Sequence, residues 1–137
     1  MNTSRKIADL HPKVATMAWA FVKKCADEGI DVIITSTLRD NEAQAALYAQ
    51  GRTAPGKIVT NAKPGYSYHN FGLAFDFVPV KDGKAQWNDL KLFQRCGEIG
   101  ESLGLEWAGR WESFKEYAHL QWTGGLTLSD LRQGKRP

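Results

Sequence analysis

The chain has 137 residues, a net charge of +3 and an isoelectric point of about 8.9. With 42% apolar and 24% charged residues, it holds enough for one core, predicts a single domain over residues 1–137, and has no run near the roughly 18 apolar residues a membrane span needs. The positive balance suits an anionic polymer, but Lys and Arg are scattered, without a basic stripe or a helix-turn-helix or zinc-finger spacing, so no nucleic-acid partner is expected.

The N-terminal segment lacks the apolar stretch and small-residue cleavage site of a secretory signal, which predicts accumulation in the cytoplasm. From Pro12 to Glu28 the residues Val14, Met17, Ala18, Phe21, Val22 and Cys25 recur on one face of a helix, with Pro12 near its start and Gly29 just past its end. Ile30 to Ser36 is short and β-branched, a strand. Asn41 to Gln50 reads as a helix closed by Gly51. Residues 51–68 carry three glycines and two prolines without periodicity and predict a long loop, a type of segment that is often functional.

Leu73 to Val80 is a second strand, and Asp82-Gly83 signals a tight hairpin into Ala85-Gln86-Trp87. Asn88 is placed to cap a helix whose stripe is Leu92, Phe93, Cys96, Ile99 and Leu103, ending at Gly104. Leu105 to Trp107 and Ala118 to Trp122 are short strand candidates, and Thr127 with Asp130 makes a capping box for a last short helix. This order predicts an α+β domain, a small antiparallel sheet with helices packed on one face and a cleft on the other. Cys25 and Cys96, each inside a helical apolar pattern, read as buried thiols rather than a disulfide.

Two of the three histidines stand in polar-aromatic clusters, Ser67-Tyr68-His69-Asn70-Phe71-Gly72-Leu73-Ala74-Phe75-Asp76 and Glu116-Tyr117-Ala118-His119-Leu120-Gln121-Trp122. Hydrolytic zinc is held by about three His or carboxylate ligands with one position left for water. A fully extended chain would separate His69 from Asp76 by roughly 23 Å at about 3.3 Å per residue, so the chain must fold back between them, and Gly72 allows the bend. On the strand, Asp76 then shares a face with Ala74, opposite Leu73, Phe75 and Phe77. Glu116 and His119 are spaced to lie on the same side of a helical turn, one able to ligate and the other to reach water. Each residue alone also has an ordinary structural explanation: a loop histidine, an edge-strand aspartate, a solvated glutamate. His11 matches no ligand position.

Taken together, Ser67-x-His69-x-x-Gly72-x-Ala74-x-Asp76 followed by Glu116-x-x-His119 resembles the signature of the D-alanyl-D-alanine carboxypeptidase and L-alanyl-D-glutamate endopeptidase family of zinc peptidases. Within that family the chain is most similar to short bacteriophage endolysins. The similarity runs from about Leu10 to Trp122 and includes Thr37-Leu38-Arg39, Gln44 and Gly104-Leu105-x-Trp107-x-Gly109-x-Trp111. The resemblance implies one zinc ion per chain on His69, Asp76 and His119, Glu116 as general base, and Arg39 holding substrate and a developing oxyanion. Gln44 and Ser67 become further substrate contacts, although Gln44, three residues after Asn41, can equally complete a helix cap.

The implied partner is the peptidoglycan stem peptide, cut between L-alanine and D-glutamate by a monomer that waits in the host cytoplasm until a separate holin opens the membrane. No separate wall-binding domain is expected. Related endolysins commonly carry Asp-x-Pro-His where this chain has Glu116-Tyr117-Ala118-His119, and a glutamate suits the carboxypeptidase branch equally well. A D-alanyl-D-alanine carboxypeptidase is therefore the alternative enzyme. A non-catalytic cell-wall-binding module is the alternative of another class.

Overall fold

A computed structural model describes residues 3–113 and 115–137. Helix α1 spans Pro12–Asp27; His11 caps it, Nδ1 accepting from the Lys13 N–H at 3.1 Å, and Gly29 leaves it at φ +79°. Val14, Met17, Ala18, Phe21 and Cys25 are buried along one face, as the periodicity requires.

Strand β1 (Asp31–Ser36) leads to α2 (Asn41–Ala49), and residues 51–67 then run without a helix or named strand. After a 3-10 turn over Tyr68–Phe71 come β2 (Ala74–Lys81) and the short β3 (Lys84–Ala85), joined through Asp82 and Gly83 at φ 53° and 75°. Positive φ at both positions defines the type I′ hairpin that the Asp-Gly pair predicts. Helix α3 covers Leu90–Ser102; its cap is Asp89, whose carboxylate accepts from the Leu92 N–H at 3.1 Å, one residue beyond the expected Asn88. Strands β4 (Glu106–Trp107) and β5 (His119–Gln121) and helix α4 (Leu128–Arg132) complete the chain, α4 opening on the expected Thr127–Asp130 capping box.

The sheet order is β1-β2-β5-β4, with β3 on β2, and every pairing is antiparallel. Helices α1 and α3 cover one face, where Phe21 meets Phe77 edge-on at 5.0 Å and Phe93 meets Phe77 at 5.5 Å. Phe21, Phe75, Phe77, Phe93 and Leu120 are all below 3% exposed; burying each such side chain contributes about 1.5–3 kcal/mol, which makes this face the main source of stability. Gly97 and Gly100 in α3 allow the close approach: a Cβ at Gly97 would collide with the Trp107 ring, and one at Gly100 would come within 2.7 Å of Leu120. The periodicity of the apolar residues does not reveal this contact.

Register assigns the other face. Phe75 pairs with Leu120 and Trp107 with Leu120 toward the helices, so Asp76 with His119, Ala74 with Gln121 and Glu106 with Gln121 point the opposite way. A bulge in β1 shifts the pairing from Ile34↔Phe77 to Ser36↔Asp76 and so turns Ser36 onto the same side as Asp76. The result is the expected α+β architecture, with a cleft on the sheet face away from α1 and α3. The short helices α2 and α4 contribute Leu47 and Leu128 to the cleft wall.

Candidate metal centre and active site

His69 lies in the 3-10 turn, where Ser67 Oγ accepts from the His69 N–H at 3.2 Å and Gly72 closes the turn at φ 71°. The turn folds His69 back over β2, as the spacing to Asp76 demands. Its Nδ1 meets the Thr37 carbonyl at 2.9 Å, and because a carbonyl only accepts, Nδ1 carries the proton. That leaves Nε2 facing Asp76 Oδ1 at 3.2 Å.

His119, on β5, is arranged the other way round. Its Nε2 lies 2.7 Å from Gln121 Oε1, while Nδ1 is 3.4 Å from the same Asp76 Oδ1. Among the described residues, His69, Asp76 and His119 form the one cluster of three whose ligand atoms all lie within 4.8 Å of one another. A tetrahedral ion with bonds of about 2.0–2.2 Å requires neighbouring donors about 3.3–3.5 Å apart. The separations of 3.2 and 3.4 Å match that edge, and two imidazoles with one carboxylate are donors suited to zinc. Each histidine also has its second nitrogen anchored by an oxygen, as metal-binding histidines generally do.

Burial alone would raise the Asp76 pKa; the facing His69 and the hydrogen bonds from His119 and His69 outweigh it and hold the carboxyl well below the usual range. For His119 burial pulls the pKa down, but the bond to Asp76 and its charge prevail, and the net shift is upward.

These three side chains, Arg39 and Glu116 line one cavity of about 580 Å³. Glu116 stands in a β-turn, closed by the His119 N–H donating to the Glu116 carbonyl at 3.2 Å, and not in the helical turn that the spacing suggests. A β-turn satisfies the same i to i+3 spacing and leads directly into β5. Burial raises the Glu116 pKa, with Asp76 adding to the rise and His119, His69 and Arg39 opposing it.

Arg39 spans the floor of the cavity. Nη1 donates to Gln44 Oε1 at 2.9 Å, Nη2 donates to Ser36 Oγ at 3.2 Å and lies 3.7 Å from Asp76 Oδ2, and buried Nε has no partner among the described residues. Burial lowers its pKa against the pull of Asp76 and Glu116, yet a guanidinium stays cationic at neutral pH. Ser67 lines the cavity. Gln44 does not: it is 0% exposed and ties Arg39 to the Ala62 carbonyl, which its Nε2 meets at 2.7 Å. Its alternative role as a cap also fails, because the cap of α2 is Asp40, which makes Gln44 the fourth rather than the third helical residue.

Several participants escaped the sequence reading: the Thr37 carbonyl, Ser36, and Gln121 with Glu106 behind it; Trp111, named there only as part of a motif, lies with its ring tilted 5.6 Å from that of His119. Gln121 had a usable signal, since it lies two residues after His119 and so shares its strand face.

A two-histidine, one-carboxylate site that could hold a metal ion, beside a partly buried glutamate and an arginine on the open face of an antiparallel sheet, has the arrangement of a metal-dependent hydrolase cleft. A family model described as D-alanyl-D-alanine carboxypeptidase matches residues 60–122, which include all the metal-ligand candidates and Glu116. The peptidoglycan L-alanyl-D-glutamate endopeptidase CwlK of Bacillus subtilis is 45% identical over 123 residues, 83% of this chain and 74% of that protein. An L-alanyl-D-glutamate peptidase of Listeria phage A118 is 32% identical over 124 residues, 86% of this chain but only 41% of that protein's length. A solved VanY D,D-pentapeptidase from the VanB-type vancomycin-resistance cassette, in complex with Zn(II), shares the fold, with TM-score 0.65 at 14% identity over 95% of this chain and 88% of that one. The chain belongs to the D-alanyl-D-alanine carboxypeptidase and L-alanyl-D-glutamate endopeptidase family of peptidases.

Proposed function

We propose that the chain is a zinc-dependent endopeptidase that hydrolyses the L-alanyl-D-glutamate bond of peptidoglycan stem peptides. The observation that carries the reading is the convergence of His69 Nε2, Asp76 Oδ1 and His119 Nδ1 at the floor of a cavity that also presents Glu116 and Arg39. CwlK, which acts on this bond by name, supports the choice of bond, and the Zn(II) in VanY supports the choice of metal. A zinc ion held by His69, Asp76 and His119 would supply Lewis acidity toward water and the scissile carbonyl.

Glu116, held partly buried, takes a proton from the attacking water and returns it to the departing amine of D-glutamate. Arg39, fixed by Gln44 and Ser36, directs guanidinium N–H groups at the oxyanion that develops on the L-alanyl carbonyl or at a substrate carboxylate. Ser67 at the cavity edge contacts the peptide. The proposal extends to an endolysin role for a monomer released from the host cytoplasm by a separate holin; the phage origin of one relative supports a phage setting alone, and the role requires expression inside bacteria to be harmless until the membrane is permeabilised.

The test is zinc content of the purified protein together with mass spectrometry of fragments released from peptidoglycan, with and without a chelator. One zinc per chain and chelator-sensitive fragments with a new D-glutamate amino terminus are expected. Release of free D-alanine instead would move the chain to the carboxypeptidase activity that the matched family model is described by. A zinc-free, inert protein would leave a wall-binding module.

A further inference from the structure

We propose that Glu106 and Gln121 form a hydrogen-bond relay that holds a proton on Nε2 of His119 and so reserves Nδ1 for the metal, and that both are positioning residues for the site. The inference rests on the reading of His69, Asp76 and His119 as metal ligands. It starts from register: Glu106 pairs with Gln121 across β4 and β5, and Gln121 lies on the same strand face as His119. Gln121 Nε2 donates to Glu106 Oε2 at 3.2 Å, and Gln121 Oε1 meets His119 Nε2 at 2.7 Å.

A carboxylate only accepts, so Glu106 draws the NH2 end of the amide toward itself and leaves the carbonyl end facing His119. That carbonyl holds the proton on Nε2, so the proton given up when a metal ion binds is the one on Nδ1, on the side of Asp76. Without Glu106 the amide is free to turn its NH2 toward Nε2. The ring then takes the opposite tautomer and presents an N–H, which cannot ligate, to the metal position.

The two histidines therefore differ in how they are secured. His69 is held by the Thr37 carbonyl, a backbone group that no side-chain substitution removes. His119 depends on two side chains in series, the first 5% exposed and the second on the surface. Glu106 is bonded neither to His119 nor to Asp76, so an effect of its substitution on metal binding has to travel through Gln121.

The experiment titrates zinc into the metal-free full chain by calorimetry for the wild type, Gln121→Leu, Glu106→Ala and Glu106→Gln. Each protein's melting temperature and the nitrogen NMR signature of the His119 ring are recorded alongside. Zinc affinity is expected to fall about 10- to 100-fold in Gln121→Leu and by a smaller factor in Glu106→Ala, the range seen when outer partners of metal-binding histidines are removed. Glu106→Gln keeps an accepting oxygen and retains most of the affinity. In zinc-bound Glu106→Ala the His119 Nε2–H signal moves away from its hydrogen-bonded position while the melting temperature stays near that of the wild type.

Wild-type affinity and an unchanged Nε2–H signal in zinc-bound Glu106→Ala would overturn the relay, and this variant decides the matter if Gln121→Leu does not fold. A wild type that binds no zinc would remove the metal-site reading and the relay with it. A wild type that binds zinc beside indifferent variants removes the relay alone.

Discussion

Gln44 accepts a hydrogen bond from Arg39 Nη1 at 2.9 Å through a side chain that solvent does not reach at all. A buried guanidinium left without an acceptor costs roughly 1–3 kcal/mol, more than the net gain from an ordinary hydrogen bond, so this contact fixes where Arg39 points. Gln44→Leu keeps the volume and removes the acceptor. It is expected to lower the melting temperature and to reduce kcat/KM without changing zinc stoichiometry. Arg39→Lys cannot reproduce the fork between Gln44 and Ser36 and should lose about tenfold or more in kcat/KM. Steady-state kinetics on soluble stem peptides check both, and full activity in Arg39→Lys would remove the guanidinium from catalysis.

Glu116→Gln tests the base. The amide keeps the size and the turn but cannot take a proton, so kcat should fall by about 10²–10⁴ while zinc content stays at the wild-type level. A variant that loses zinc as well would make Glu116 a ligand instead.

Stability on the helical face depends on a residue with no side chain. Gly97→Ala drives a Cβ into the Trp107 ring, whose Nε1 is tied to the Tyr117 carbonyl at 2.9 Å and resists moving. Overpacking of this kind costs about 1–3 kcal/mol, outweighing the roughly 1 kcal/mol that alanine gains over glycine in a helix. Denaturant titration should show net destabilisation; a stabilised Gly97→Ala would mean that α3 can shift away from β4.

The Glu28–Arg95 pair joins the end of α1 to α3 through two bonds of 2.8 and 2.7 Å. The hydrogen bond from Arg95 lowers the Glu28 pKa, with burial opposing and the Arg95 and Lys24 charges assisting. A carboxyl depressed in the folded state adds stability above its unfolded pKa, about 4.3, and loses it as pH falls through the lower folded value. Both side chains are well exposed, so the effect is small and screened by salt. Arg95→Ala should therefore melt slightly below the wild type at pH 6 and low salt, with the difference vanishing toward pH 3. A difference independent of pH would assign the loss to packing of the Arg95 stem.

The features that could be read from residue order are those set within a few residues of one another. The stripes of α1 and α3, the Asp82-Gly83 hairpin, the Thr127 capping box and the fold-back at Gly72 that brings His69 to Asp76 all follow from spacing, caps and φ preferences. Spacing brings Glu116 to the cavity of His119 but does not tell a helical turn from the β-turn found there, because the two share the same i to i+3 separation. The bulge that turns Ser36 toward Asp76, the burial of Gln44 under Arg39, the contact of Gly97 with Trp107 and the chain from Glu106 through Gln121 to His119 join elements distant in sequence. Only the packed sheet decides them, since register and the direction of a buried amide are chosen by partners that local periodicity does not specify.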